Sequence, residues 1–384
     1  MNQSPISSRT VCLLRDMRRA LHRIPEAAKA EVKTQRFILD CLRETGADSV
    51  ECIGTGVKAV FLAPEPRGTL CFRADMDGLC IPEENDAAYA SQAPGFMHAC
   101  GHDGHMAVLL AFAGLLGTSR AKMVHNIVLL FQPAEESMGG AKGMIEGGAL
   151  NGPKADAVFG LHLMPHIKQG CIGIRAGAVM AAASEFDITI YGRSTHAALP
   201  HESVDALLAA SHLVVQLQGI VARNTDPFEA CVLAVGKIAG GEARNIVARE
   251  VLMQGTTRSY SQAVYENTRC RIKALLSGLE LGMGVTAAFT ENMYYPPVVN
   301  DETLAFKARV LLEELAIEPA PLMMGEDFSF YQREVPGLFM FLGCRNEEKG
   351  FVHALHTPHF DFDEEALVFG LEAFWRIAFC EGMV

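Results

Sequence analysis

The chain has 384 residues, more than a single hydrophobic core usually organises, so its length predicts two domains. Its apolar fraction of 49% and its charged fraction of 20% are those of an ordinary globular protein. The formal net charge of −12 argues against nucleic acid or an anionic membrane as a partner, because the chain has no surplus of basic residues.

The cysteines and the first residues bear on the compartment. An odd number of cysteines, 11, with no CxxC pair disfavours a disulfide framework and is typical of an enzyme with reduced thiols. Residues 1–10 are polar and lack the apolar core of a signal peptide. No uninterrupted apolar run approaches the ~18 residues that a membrane span needs. We therefore expect a cytoplasmic protein.

The first half of the chain and a stretch near its C-terminus contain helices and short apolar strands. Helical spacing is present at residues 11–22, 31–44 and 106–116, and short apolar strands are predicted at 57–62, 69–72, 126–131, 157–161 and 338–342. Several of these strands stop abruptly at polar residues. The pattern predicts an α/β fold with a mostly parallel sheet flanked by helices, and ligands gather at the carboxyl ends of such strands.

From about residue 181 the pattern changes. Residues 184–191 alternate between apolar and polar, which indicates a half-exposed antiparallel strand. A helix at 204–221, strands at 231–238 and 250–257, a helix at 262–281 and a strand at 285–293 follow. This β-α-β-β-α-β order is typical of a ferredoxin-like unit. We therefore predict an inserted α+β domain at 181–294, within a discontinuous domain made of 1–180 and 295–384.

One stretch concentrates metal-binding side chains. The segment from His98 to His105 contains three imidazoles, the thiol of Cys100 and the carboxylate of Asp103. Cys100 and His102 occupy alternate positions, so both can point into one cavity as ligands of a borderline-soft cation. The alternative is a capped helix start, in which Asp103 accepts backbone N–H groups and the histidines are solvated.

A second candidate is the pair Glu135-Glu136 after a buried strand. Adjacent buried carboxylates raise each other's pKa unless a cation lies nearby. One carboxylate could bind metal while the other acts as a general base on water. The alternative is an exposed acidic helix start, which the helix dipole favours.

Two further histidines follow predicted strands or lie in polar loops, His162 and His356. A single histidine is more often a core residue than a ligand. Together with Cys100, His102 and Glu136, however, they form a set that suits two metal ions better than one.

An ordered set of motifs runs along nearly the whole chain: His22-Arg23-Ile24-Pro25-Glu26, Arg73-Ala74-Asp75-Met76-Asp77, His98-Ala99-Cys100-Gly101-His102-Asp103, Gln132-Pro133-Ala134-Glu135-Glu136, Gly160-Leu161-His162, Gly192-Arg193-Ser194-Thr195-His196-Ala197-Ala198, Gly255-Thr256-Thr257-Arg258, Gly325-Glu326-Asp327-Phe328 and His356-Thr357-Pro358. Each motif is weak alone. As a set they resemble the M20 family of metallopeptidases and amidohydrolases, in the branch of hippurate hydrolases, N-acyl-amino-acid amidohydrolases and auxin-conjugate hydrolases.

The resemblance implies a role for each residue of the predicted centre. Cys100 would bridge two divalent metals, and the remaining ligands would be His102, Glu136, His162 and His356. Glu135 would be the general base, taking a proton from water and returning it to the leaving amine. A thiolate favours zinc, while manganese, cobalt or nickel could also occupy such a site.

The inserted domain would be a lid and dimerisation domain by the same resemblance. His196 would stabilise the developing oxyanion, commonly from the partner subunit of a homodimer. Asn245 and Arg258 would hold the substrate carboxylate. The alternatives are a surface histidine and a solvated arginine. Asp75, Asp77 and Asp103 are candidates for orienting the metal ligands, and the sequence does not indicate which of the three does so.

Two departures from the family pattern bear on the substrate. Residues 78–81 read Gly-Leu-Cys-Ile where Ala-Leu-Pro is usual, and residues 243–248 lack the proline expected after Asn245. Both departures lie near segments that would contact substrate, so they bear on the acyl preference and on the role of Asn245.

The sequence thus predicts a two-metal amidohydrolase that cleaves the amide bond of an N-acyl amino acid, in the manner of an aminoacylase or hippurate hydrolase. Alternatives within the family are an N-acetyl-diaminopimelate deacetylase and a dipeptidase. Outside it, they are a metal-free protein that only binds amino-acid conjugates and a thiol-redox or iron–sulfur protein, which the absence of a CxxC pair disfavours.

Overall fold

The chain divides into two units. A computed structural model describes residues 6–384, except for the side chain of Met138. The first unit contains the described chain up to Gly177, together with Val299–Ala320 and Asp327–Val384. The second contains Ala178–Val298 and Pro321–Glu326.

The strands, in chain order, are β1 (Ser49–Ile53), β2 (Gly56–Phe61), β3 (Thr69–Asp75), β4 (Asn126–Gln132), β5 (Ala157–Lys168), β6 (Ile172–Gly173), β7 (Gly177–Met180), β8 (Ala182–Tyr191), β9 (Cys231–Gly240), β10 (Glu250–Ser259), β11 (Thr286–Tyr295), β12 (Val298–Asn300), β13 (Ala316–Ile317) and β14 (Gly337–Arg345). The α-helices are α1 (Ser8–His22), α2 (Val32–Leu42), α3 (His102–Ser119), α4 (Glu135–Met138), α5 (Gly140–Glu146), α6 (Ala206–Asn224), α7 (Gln262–Met283), α8 (Glu302–Leu311) and α9 (Ala366–Ala378).

The first unit is organised by one mixed sheet, whose strands lie in the order β1-β2-β4-β3-β5-β14-β6-β13. Its centre is parallel, since β4, β3, β5 and β14 run in one direction. Strands β2 and β3 are buried along their whole length, as expected where helices cover both faces of a sheet. The predicted fold class, a mostly parallel sheet flanked by helices, is confirmed.

Helix α3 is the central helix of this unit. It packs against α1, α9 and strand β3. Most of its residues are buried on every side, which is expected of a helix that is apolar all round. The packing holds the first turn of α3, with His102 and His105, in a fixed position.

The second unit is a separate antiparallel sheet with two helices. Its strands lie in the order β11-β8-β10-β9, and the chain order β8-α6-β9-β10-α7-β11 is the predicted ferredoxin-like one. Ile188 and Ile190 of β8 form a core with Leu213 and Leu217 of α6 and Ile272 of α7.

By length and composition alone, α6 could cross a membrane; among the described residues it is the one helix that passes this test. About a third of its apolar window, 33%, is buried. The buried side includes Leu213 and Leu217 and packs in the core of the second unit, as the core helix of a globular domain does.

Two features differ from the sequence predictions. Strand β5 does not end at residue 161 but continues to Lys168, because its pairing with β14 extends that far. His162 therefore lies within a strand instead of after one. The segment Pro321–Glu326, which the prediction assigned to the discontinuous domain, belongs to the second unit, where the N–H of Ala181 donates to the carbonyls of Leu322 at 3.1 Å and Met324 at 2.9 Å.

Candidate metal centre

Cys100 and His102 are held by the turn that begins α3. Gly101, between them, has φ +85°, and a Cβ atom there would lie 2.8 Å from Cδ1 of Leu163. Glycine is therefore required twice, for the left-handed backbone and for the close approach to β5. The turn places Cys100 just before the helix and His102 at its first position, both buried.

Backbone carbonyls set the direction of two imidazoles. Nδ1 of His102 donates to the carbonyl of Asp77 at 2.9 Å, and Nδ1 of His162 donates to the carbonyl of Leu163 at 2.8 Å. In the neutral form of each ring, Nε2 is therefore the nitrogen without a proton. Nε2 of His162 lies 3.3 Å from Sγ of Cys100.

The two glutamates begin the short helix α4, after a left-handed residue. Ala134 has φ +57°, and its N–H donates to the buried carboxylate of Glu31 at 2.9 Å. The carboxylate of Asp77 accepts the N–H groups of Glu135 and Glu136, each at 3.1 Å. The pair is thus a helix start, as the alternative interpretation expected, but Glu135 is only 7% exposed.

His356 reaches the same place from a loop near the C-terminus. Its backbone is also left-handed, with φ +59°, and its N–H donates to the carbonyl of Ala99 at 2.9 Å. Nε2 of His356 lies 3.3 Å from Sγ of Cys100 and 3.1 Å from Oε1 of Glu136. Strained backbone at positions flanking a cluster of polar side chains is typical of functional sites.

The structure therefore brings all the predicted ligands together in the first unit. The ligand atoms of Cys100, Glu136 and His356 lie within 4.8 Å of one another, and so do those of His102, Glu135 and Glu136. His162 joins the cluster through its contact with Cys100.

The electrostatics of the cluster favour a cation. Burial, with the carboxylates of Glu136 and Glu135, raises the pKa of the Cys100 thiol well above its usual range. Burial alone would lower the pKa of His102, but Asp75, Asp77 and Glu136 raise it to about 10. The negative charge of the surrounding carboxylates contributes to both shifts, and a bound cation would compensate that charge.

A buried atom without a hydrogen-bond partner tests whether a metal fits. Nε2 of His102 is buried and makes no hydrogen bond in the described chain, and Oε1 of Glu136 lies 3.8 Å from it. Buried polar atoms of native proteins are almost always satisfied. Thiolate, imidazole and carboxylate together are the donor set of zinc and related divalent ions, so the residues present fit such ions.

The candidate orienting aspartates have different partners. Asp77 holds His102 through its carbonyl and the two glutamates through its carboxylate. Asp75 accepts from His105 at 2.6 Å and from Arg73 at 2.8 Å.

The carboxylate of Asp103 accepts from Nε of Arg18 at 2.7 Å and lies 2.8 Å from Nδ1 of His22. Burial would raise the pKa of Asp103, but Arg18 and His22 hold it well below its usual range. The alternative in which Asp103 caps α3 is wrong, because Gly101 is the capping residue and no side chain accepts there.

Several residues that contact the candidate ligands were not assigned a role from the sequence. His105 lies between Asp75 and the N–H of Leu163. Arg73 and Gln132 donate to the carboxylate of Asp327, whose own N–H donates to Oε1 of Glu135. The spacing of His102 and His105, one turn apart on a helix face, was the available signal for His105.

The substrate-binding candidates lie in the second unit. His196 is exposed and forms an isolated bridge with Ile246, while the N–H of Ala197 donates to the carbonyl of exposed Asn245 at 2.9 Å. Arg258 is half-buried on β10, and its guanidinium donates to the carbonyl of Thr257 at 2.8 Å. His196 and Asn245 are therefore neighbours, whereas Arg258 belongs to the sheet.

Comparison with known proteins gives a consistent result. A family model described as peptidase family M20/M25/M40 matches residues 71–379. An N-acetyl-L-cysteine deacetylase of Bacillus subtilis (strain 168) is 39% identical over 92% of this chain and 84% of the relative. An N-acetyldiaminopimelate deacetylase of Exiguobacterium sibiricum is 38% identical over 92% of this chain and 95% of the relative.

Among solved structures, the YXEP protein of Bacillus subtilis, described as a dinuclear metal-binding peptidase of family M20, is similar with a TM-score of 0.85. It is 31% identical, and the match covers 97% of this chain and 98% of that one.

Proposed function

The chain belongs to peptidase family M20/M25/M40, and on this premise we propose that it removes a short acyl group from the amino nitrogen of an amino acid. It is an amidohydrolase of that family, as the motifs predicted. The similar proteins named as deacetylases of N-acetylated amino acids support the deacetylase alternative better than the hippurate hydrolase interpretation that the sequence placed first.

One observation carries the proposal. Sγ of Cys100 lies 3.3 Å from Nε2 of both His162 and His356, which are far apart along the chain. Glu136 and Glu135 stand beside this contact on one helical turn. A cluster of this composition, buried and rich in carboxylates, is what a hydrolytic metal centre requires.

We propose that Cys100, His102, Glu136, His162 and His356 hold two divalent ions. The dinuclear description of the similar Bacillus subtilis structure supports this number. When bound, such ions supply a water of lowered pKa and polarise the acyl carbonyl of the substrate. Zinc or manganese is our prediction, with cobalt or nickel as possible substitutes.

The proton transfers belong to Glu135. Its carboxylate is buried, and its own N–H and that of Glu136 are held by Asp77, so the side chain is fixed beside the ligand Glu136. In the proposed reaction Glu135 takes one proton from the attacking water and delivers it to the amine nitrogen as the amide C–N bond breaks. The products are a carboxylate and a free amino acid.

The roles of the second unit stay predictions from the family resemblance. His196 would stabilise the oxyanion, and Asn245 and Arg258 would bind the carboxylate of the amino acid. A small-molecule substrate, a homodimer and a cytoplasmic location complete the proposal. Support for the dimer comes from α6, which exposes Leu208 and Val215 on the side away from its own core.

The experiment is a hydrolysis screen of the purified chain loaded with Zn²⁺, Mn²⁺ or Co²⁺ in turn. The substrates are N-acetyl-diaminopimelate, N-acetylcysteine, other N-acetyl amino acids, benzoylglycine and dipeptides. We expect the acetylated amino acids to be cleaved with the highest kcat/KM. Faster cleavage of benzoylglycine would restore the hippurate hydrolase interpretation, and inertness toward every substrate after metal loading would refute the proposed function.

A further inference from the structure

We propose that His105 is a positioning residue, which directs the imidazole of His162 toward the metal centre through the peptide groups of Leu163. The inference rests on the proposed metal-dependent function and assigns a role to a buried histidine that is not among the proposed ligands. Its argument depends on which ring nitrogen carries the proton, and the hydrogen bonds of His105 decide that.

Both nitrogens of His105 have defined partners. The N–H of Leu163 donates to Nε2 of His105 at 2.9 Å, so this nitrogen carries no proton. The proton is therefore on Nδ1, which donates to Oδ1 of Asp75 at 2.6 Å. One tautomer alone satisfies both contacts.

Asp75 is itself fixed, so it can hold His105 in place. Its Oδ2 accepts from the guanidinium of Arg73 at 2.8 Å, and Arg73 also donates to Gln132 at 2.8 Å and to Asp327 at 2.9 Å. All these groups are buried. The chain of contacts therefore starts from a rigid part of the sheet.

The N–H of Leu163 lies where strand pairing has stopped. Strand β3 pairs with β5 only as far as Arg73 opposite Gly160. Beyond that point His105 supplies the acceptor for Leu163 on that side of β5. The imidazole thus replaces a neighbouring strand and holds β5 at the position next to His162.

Leu163 in turn fixes the orientation of His162. Its carbonyl accepts from Nδ1 of His162 at 2.8 Å, which leaves Nε2 of His162 to face Sγ of Cys100 at 3.3 Å. The two imidazoles also pack edge to face, with ring centroids 4.6 Å apart. Removing the acceptor on His105 would leave the N–H of Leu163 without its partner. The peptide groups of Leu163 could then move, and the imidazole of His162 would no longer be held in one orientation.

A different interpretation is that His105 itself binds metal. Nitrogen or oxygen atoms of Asp75, His102, His105 and His162 lie within 4.8 Å of one another. Against this, both nitrogens of His105 already have partners at hydrogen-bond distance. The experiment below separates the two interpretations.

Two substitutions divide the contacts of His105. In His105→Asn the side-chain amide can still donate to Asp75, but nothing reaches the N–H of Leu163. In His105→Gln the amide oxygen occupies the place of Nε2 and can still accept from Leu163. We expect His105→Asn to weaken the binding of at least one divalent ion by about 10–100-fold, and His105→Gln to stay within a few-fold of the wild type.

The measurement is a competition of Zn²⁺ against a chelator, together with the visible absorption of the Co²⁺-loaded chain, which reports the geometry around the ion. The free energy of unfolding of the metal-free variants, from urea titration, gives the purely structural cost. His125→Asn and His125→Gln are the matched controls, because His125 is buried and donates to the carbonyl of Cys380 at 3.0 Å, at the opposite end of β4 from Glu135. We expect both controls to bind metal like the wild type.

Equal metal affinity of His105→Asn and the wild type would refute the positioning role. Equal weakening by both His105 variants, with a changed Co²⁺ spectrum in each, would show that His105 is a ligand instead. The proposed function is tested separately, on the wild type with N-acyl amino acids. If the wild type bound two ions but cleaved no N-acyl amino acid, the proposed function would fail. The metal affinities of the His105 variants would still decide whether His105 positions His162.

Discussion

At the scale of single residues, Glu135 and Glu136 are adjacent in sequence yet placed for different tasks. Oε1 of Glu136 lies 3.1 Å from Nε2 of His356, among the candidate ligands. Oε1 of Glu135 instead accepts from the N–H of Asp327 at 3.4 Å. Asp77 fixes the backbone of both, so the two carboxylates cannot exchange positions without unfolding the turn.

We predict that Glu135→Gln keeps its metal and loses turnover. The amide retains the shape of the carboxylate but cannot take a proton, so kcat should fall by about 10²–10⁴-fold. Metal content by elemental analysis and kcat on an N-acetyl amino acid check this prediction. Full activity in the variant would remove Glu135 from the role of general base.

The adjacent substitution Glu136→Gln is the matched counterpart. Because Glu136 is a proposed ligand, we expect it to lower the number of ions bound per chain, and the activity lost should be partly restored by excess metal. If Glu136→Gln retained both ions at wild-type affinity, the assignment of Glu136 as a ligand would be wrong.

The composition of the cluster could be predicted from sequence because ligand-type side chains are concentrated in a few polar segments. Glu136 was identified after a predicted strand, Cys100 in the segment from His98 to His105 and His356 in a loop near the C-terminus, and the three lie together. The contacts that orient them could not be predicted. Nδ1 of His102 donates to a main-chain carbonyl, that of Asp77, and any residue type could supply such a group.

At the scale of elements, the start of α3 depends on Gly101. We predict that Gly101→Ala lowers the free energy of unfolding of the metal-free protein by about 2–4 kcal/mol, the sum of a left-handed alanine and an overpacked contact. The contact is with Cδ1 of Leu163, 2.8 Å from the added Cβ. Urea unfolding in a chelator measures the change.

Gly46→Ala is the control for this prediction. Gly46 also has a positive φ, +75°, but nothing lies within 4 Å of the position of its Cβ. It should show only the backbone cost, about 1–2 kcal/mol. If the two variants were equally destabilised, the close approach of Gly101 to β5 would have no energetic consequence.

The boundaries of some elements could be predicted from the local sequence pattern, and those of others could not. Strand β8 and the ferredoxin-like order were predicted because alternating residues mark a sheet with one buried face. The length of β5 was not predicted, since its later residues continue as a strand through pairing with β14. Such pairing joins segments that are distant in sequence, so it cannot be predicted from the residues of one segment alone.

At the scale of the whole molecule, metal should stabilise the fold. Carboxylates and imidazoles of the centre come from the regions of β3, α3, α4 and β5 and from the loop of His356, so bound ions would join distant parts of the first unit. We predict that chelation lowers the Tm of the first unit by roughly 10 °C relative to the loaded protein. Differential scanning calorimetry with and without Zn²⁺ checks this, and an unchanged Tm would contradict a metal centre shared by these elements.

Self-association is the second prediction at this scale. Leu208 and Val215 lie on one face of α6 and are 49% and 73% exposed. We expect the wild type to be a dimer by light scattering and Val215→Glu, combined with Leu208→Glu, to be a monomer. Phe228→Glu is the control, since Phe228 is 99% exposed in the loop after α6. A monomeric wild type would exclude this use of the helix.

The position of β14 in the first sheet has a consequence for biosynthesis. This strand lies between β5 and β6, yet the ribosome makes it after the entire second unit. Because β14 begins at Gly337 of a chain of 384 residues, a nascent chain carries an open gap in its main sheet until close to the end of translation. Only then can His356 arrive beside Cys100, so a truncated chain ending before β14 should acquire no ions and be an early target of proteolysis.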